Sequence, residues 1–208
     1  MLYLALEDGE KRLQDRILRN GTGAPPGFYY ATNALTVRGE LIRQLSDEMK
    51  KQLVHLMHNL RKSGTSGNFA HVQNLHLTLR FIGEYSEPDF IAEQMAQIPF
   101  APFPLTLGGW IGNFGDLLWA GVSHNDAHEK YVKQLTRSLA GCGIPYDKKR
   151  FHPYITLLRN AASMQPFSDI VIAKESMTVR RISLMRSDFG KHGAQYTEIA
   201  YVDCQGDA

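Results

Sequence analysis

The feature that most constrains this chain is a short pattern that occurs twice. NLHLTLRF runs from Asn74 to Phe81 and HPYITLLR from His152 to Arg159. Each holds a ring, an aliphatic residue, a threonine and a leucine, at His76-Leu77-Thr78-Leu79 and Tyr154-Ile155-Thr156-Leu157. Both stretches alternate apolar and polar residues, the period of a strand with one buried face. In the first copy Leu75, Leu77, Leu79 and Phe81 are expected in a core, with His76, Thr78 and Arg80 on the other face. In the second, Phe151, Pro153, Ile155 and Leu157 take the core side and His152, Tyr154 and Thr156 the other. Such self-similarity implies two related half-structures.

The rest of the chain supplies the elements around these strands. Residues 1–27 read as an N-terminal extension and linker ending in the breaker-rich GTGAPPG, and residues 28–204 as one domain of two pseudo-symmetric lobes. Phe28 to Val37 reads as a strand. Arg38 to Lys62 reads as a helix, with Leu41, Leu45, Met49, Leu53, Leu56 or Met57, and Leu60 on one stripe, and SGTSG at Ser63–Gly67 breaks it. Further helices are expected from Pro88 to Ile98 and from an Asn125 or Asp126 cap to Leu139. Strands are expected at Leu105–Ile111, Leu117–Val122, about 170–186 and 195–203, the last two around a Gly190–Gly193 turn. Strands and helices mix without strict alternation, so the fold class is α+β, with mainly antiparallel sheet.

Composition narrows the function classes. With 43% apolar and 21% charged residues, disorder and fibrous repeats are excluded. No run is long and apolar enough to span a membrane. The start, acidic after six residues, does not read as a secretory signal. Cys142 and Cys204 form no CxxC pair, which fits a reducing cytoplasm. Net charge is only +2, yet between Lys148 and His192 nine cationic side chains stand against three acids. A local basic excess favours phosphate-bearing partners.

Two rings and two hydroxyls brought together across a cleft suit phosphodiester chemistry. Histidine can give or take a proton near neutrality, and threonine hydroxyls can donate to non-bridging oxygens. Outward His or Thr residues are also ordinary on antiparallel sheets, so the pattern alone stops short of a function. His55/His58 and His124/His128 have spacings compatible with a shared metal, but capped or surface histidines are the ordinary case. Trp110 and Trp119 read as core or sheet-face residues, and either ring could stack on a terminal base. Gly108 and Gly109 fit no phosphate-cradling loop.

NLHLTLRFIGE and FHPYITLLR resemble the two HxTx signatures of the 2H phosphoesterases, and most closely the bacterial 2′-5′ RNA ligase, or RNA 2′,3′-cyclic phosphodiesterase, group. LLWAGV followed by a helix and the closing ISLMRSDFG…YTEIAYV hairpin are similar too, so the resemblance covers about residues 28–203. It implies a two-lobed α+β fold in which two mainly antiparallel sheets face a central cleft with helices outside. It implies opening of 2′,3′-cyclic phosphate RNA ends, or of cyclic nucleotides, to 2′-phosphates. This needs no metal or other cofactor, and reversal would give 2′-5′ joining. His76 would be the proton donor, Thr78 and Thr156 would hold the phosphate, and Arg159 would belong to the phosphate site if the strand ends or bulges near it. The family's second motif starts with histidine, where this chain has Tyr154. A phenol of pKa about 10 is a poor base at pH 7. His152 could substitute, Tyr154 could act as a hydrogen-bond donor, or the protein retains binding with weakened catalysis. The expectation is a cytoplasmic, monomeric enzyme of this family, with a weakened RNA- or nucleotide-binding module as the alternative and a metal-dependent hydrolase third.

Overall fold

A computed structural model describes residues 28–30, 37–162, 170, 172–190 and 193–206. The expected extension and linker at residues 1–27 lie outside them, as do Lys191 and His192. Ten strands and three α-helices follow in the order β1 (Phe28–Tyr30), β2 (Val37–Gln44), α1 (Asp47–Lys62), β3 (Ser66–Phe69), β4 (His76–Tyr85), α2 (Pro88–Ala96), β5 (Phe103–Phe114), β6 (Leu117–Val122), α3 (Asp126–Gly141), β7 (Tyr154–Ala162), β8 (Ser176–Val179), β9 (Arg181–Gly190) and β10 (Gly193–Asp203).

The helices form where local chemistry starts them. Ser46 caps α1 by accepting from Met49 N, with Asp47 and Glu48 in the first turn and Arg61 and Lys62 in the last, matching the helix dipole. Its stripe of Met49, Leu53, Leu56, Met57 and Leu60 is buried. Asn125 caps α3 by accepting from His128 N at 3.0 Å, and Pro88 opens α2. The helix expected from Arg38 instead begins at Asp47. Val37–Gln44 is strand β2, hydrogen-bonded to β4 on one side and β9 on the other. Two ladders there outweigh a helical spacing that Leu41 and Leu45 met only by coincidence. Downstream of the expected break, Ser66–Phe69 also pairs, as β3 against β7. At Gly67 a Cβ would lie 2.7 Å from the Leu158 side chain and 2.9 Å from the Arg159 carbonyl oxygen, so only glycine fits.

All pairings among the described residues are antiparallel, in the order β1-β10-β9-β2-β4-β7-β6-β5-β8, with β3 also on β7. The two motif strands, β4 and β7, are neighbours at the middle of this order, and Leu77 and Ile155 are their register partners. Beyond that point β3 takes over the same edge of β7, from Leu158 to Ala162. Leu77 and Ile155 are both fully buried in the core that α1, α2 and α3 cover. The opposite, open face carries the polar motif residues. No helix among the described residues is long and apolar enough to cross a membrane.

Candidate functional site

Register partners in an antiparallel ladder share a face. The Leu77–Ile155 pair therefore sets His76 beside Thr156 and Thr78 beside Tyr154 on the open face. Burial agrees, because all four are half-buried while Leu75, Leu77, Leu79, Ile155 and Leu157 are buried.

Each motif strand then slips. In the β2–β4 ladder Leu41 pairs with Arg80 but Ile42 with Thr78, so Leu79 is an extra residue. In the β6–β7 ladder Leu118 pairs with Leu158 but Trp119 with Thr156, so Leu157 is the extra one. A bulge resets the alternation of side chains. Arg80, expected on the polar face, turns to α3 and donates to Thr136 Oγ1 at 2.8 Å. Phe81, expected in the core, lies level with Glu40 and outside the core cluster. On β7, Leu157 and Leu158 are both buried, and the next residue, Arg159, is exposed. The bulge that Arg159 required to share a face with Thr156 is present.

His76 is held on three sides. Its Nδ1 is 2.7 Å from the Asn74 carbonyl oxygen. That oxygen can only accept, so the proton sits on Nδ1 and Nε2 is the nitrogen left to exchange one. Asn74 is itself anchored, its side-chain amide donating to the Ala194 carbonyl at 2.7 Å. The Tyr196 ring meets the imidazole edge-on, centroids 4.7 Å apart. The third side is Glu40, whose Oε2 lies 3.6 Å from His76 Nε2 and 3.5 Å from Thr78 Oγ1. Glu40, Asn74 and Tyr196 were not singled out from sequence. Glu40 stood within a supposed helix, and Tyr196 comes from the last strand, so neither carried a local signal.

The second motif has different company. Tyr154 lies against Phe114, Trp119 and His152, with centroids 5.4, 5.7 and 6.2 Å away. His152 is exposed, just before β7, with its ring 5.2 Å from that of Trp119. Both residues thus join an aromatic cluster on the β6 side of the sheet, while the contacts of His76 lie toward β2 and β10. Trp119 is buried on the open face, with no hydrogen-bond partner for its Nε1 among the described residues.

The other histidines divide. His124 is exposed and bonded to Asp126 Oδ1 at 2.9 Å, whereas His128 is buried between Phe103 and Phe151. The two histidines whose spacing was compatible with a shared metal therefore point two ways, His124 out to solvent and His128 into the core. Burial pushes the His128 imidazole down to about 4. Among the described residues no three His, Cys, Asp or Glu side chains converge as metal ligands. Surface hollows along α1 and α3 are lined mainly by exposed charged residues and hold none of the motif side chains.

Comparison with known proteins bears on this geometry. A family model described as the 2′-5′ RNA ligase superfamily matches residues 46–191. An RNA 2′,3′-cyclic phosphodiesterase of Aeropyrum pernix is 33% identical over 119 residues, covering 53% of this chain and 67% of that protein. One from Thermotoga maritima is 32% identical over 124 residues, covering 55% and 65%. The chain thus matches about two thirds of the length of these curated relatives. Escherichia coli LigT complexed with 3′-AMP superposes with a TM-score of 0.72 at 24% identity, over 83% of this chain and 100% of that one. TT0787 of Thermus thermophilus gives 0.69 at 26% identity, over 82% and 100%. The α+β fold is shared with these structures.

Proposed function

Because the chain belongs to the 2′-5′ RNA ligase superfamily, we propose that it is a phosphodiesterase opening 2′,3′-cyclic phosphates at RNA ends, or on cyclic nucleotides, to 2′-phosphates. Water adds to phosphorus and the bond to the ribose 3′-oxygen breaks. Protonated His76 Nε2 gives its proton to that oxygen as it leaves. Thr78 and Thr156 donate to the non-bridging oxygens as charge grows on them, and Arg159 supplies a positive charge on the same face. Tyr154 stands where the family's second histidine would accept the water proton, so that proton passes to His152, two residues back, or to bulk solvent. The reading is of a cytoplasmic, monomeric enzyme that needs no cofactor.

The observation that supports this is the seam at Leu77 and Ile155, which sets each motif's ring beside the other motif's threonine. The names of the relatives at 33% and 32% identity agree with it. The test is incubation with 2′,3′-cyclic AMP in EDTA, with products resolved by chromatography. The expected product is 2′-AMP, and His76→Ala should slow turnover by about 10²–10⁴-fold. Formation of 3′-AMP, or undiminished turnover in His76→Ala, overturns the assignment. A second reading, binding with little turnover, is favoured by one observation: Tyr154 is packed among Phe114, Trp119 and His152. Saturable binding without product in the same assay would establish it.

A further inference from the structure

The hairpin of β5 and β6 has an irregularity that the proposed chemistry does not use. Leu107 pairs with Val122 and Ile111 with Ala120, so Gly108, Gly109 and Trp110 together face the single residue Gly121. Gly109 has φ +86°, a conformation open to glycine and strained for other residues. A bulge of this kind re-aims a side chain. Here it lays the Trp110 indole across the backbone of both strands. A Cβ at Gly108 would fall within the six-membered ring, and one at Gly121 within the Nε1 edge. Two glycines thus seat one indole and Gly109 provides the turn, yet Trp110 remains 45% exposed and outside the core cluster. Its inner side rests on glycine backbone, and its accessible surface is turned outward.

The seat lies on the same face as the motif residues. Gly121 is the register partner of Tyr154, and Tyr154 stands beside Thr78 across the seam. Two inter-strand spacings, about 10 Å, therefore separate β4 from the strand under the indole. Phe114, 49% exposed, lies on the same hairpin and touches Tyr154. An exposed flat π-surface one nucleotide's reach from the Thr78 and Thr156 hydroxyls fits a ligand with a phosphate at one end and an aromatic ring at the other.

We propose that Trp110 is the stacking platform for the base of the nucleotide that carries the cyclic phosphate. The inference rests on the reading that His76, Thr78 and Thr156 bind that phosphate. Stacking reads no hydrogen-bonding edge, so all four bases are accepted, with purines favoured for their larger face.

The test compares 2′,3′-cyclic AMP with the base-free methyl riboside 2′,3′-cyclic phosphate. Trp110→Ala should raise KM for cyclic AMP roughly 5- to 100-fold with kcat unchanged, leave the base-free substrate unaffected, and be largely rescued by Trp110→Phe. Gly121→Ala, which keeps the indole but fills its seat, should raise the same KM. Equal changes on both substrates, or none, overturn the platform. Quenching of tryptophan fluorescence by 2′-AMP provides a readout that does not need turnover. Saturable quenching absent from Trp110→Ala supports the platform even if neither substrate is hydrolysed, a result that would sink the hydrolase reading alone. Quenching equal in the two proteins overturns the platform even if the enzyme is active.

Discussion

Glu40 Oε2 lies 3.6 Å from His76 Nε2, the side chains being 13% and 14% exposed. The same oxygen is 3.5 Å from Thr78 Oγ1. One carboxylate therefore meets both groups of the first motif that an anionic phosphate would meet. Substrate must share this corner with a like charge, a cost of roughly 1 kcal/mol at a partly solvated site. Glu40→Gln should lower KM for 2′,3′-cyclic AMP about fivefold, measured by initial rates. An unchanged or higher KM would show that the carboxylate does not compete there.

Tyr154 offers the sharper probe of mechanism. Replacing it by histidine puts a base that works near neutrality where a phenol now stands, and kcat should rise about 100-fold, within the range of one general base. A drop on Tyr154→His, with a similar drop on Tyr154→Phe, would instead give the hydroxyl its own part in the reaction.

Arg159 follows the bulge of β7 at Leu157, and the proposed function puts its guanidinium at the phosphate. Its side chain is exposed and makes no hydrogen bond or ion pair to the described residues, while its backbone pairs with Asn68 of β3, so little stability depends on the guanidinium. Arg159→Gln should raise KM about tenfold, a loss of about 1.4 kcal/mol, while shifting the urea-unfolding free energy by less than about 0.5 kcal/mol. A large stability change with KM unmoved would make the residue structural.

His128 governs part of the acid stability. Its folded-state value of about 4 lies below the ordinary 6.5 because the ring is buried. Between these values the unfolded chain binds the proton and the folded one does not. Stability is therefore unaffected above about pH 6.5 and falls as pH drops toward 4, by up to on the order of 3 kcal/mol. In His128→Phe this portion of the acid limb should flatten, as read from urea midpoints at pH 7, 5.5 and 4.5. An unaltered slope would mean that the ring does not titrate in this range.

Legible in the sequence alone were the two motif strands, the apolar stripe of α1 from Met49 to Leu60, a helix cap at Asn125 or Asp126, and the α+β class. Each depends on contacts within one element, where periodicity and capping chemistry act locally. Tertiary structure decided the rest. Strand β2, with Glu40 on it, exists because β4 and β9 offer it two ladders, against a helical spacing running through Leu41 and Leu45. The bulges at Leu79 and Leu157 exchange Arg80 for Phe81 and leave Arg159 exposed after two consecutive buried leucines. Alternation along a strand says nothing of where a neighbour's ladder will slip. The seating of Trp110 needed Gly121 from another strand. Which face a side chain finally occupies is fixed by pairing energy between distant segments, and that energy has no expression in either segment alone.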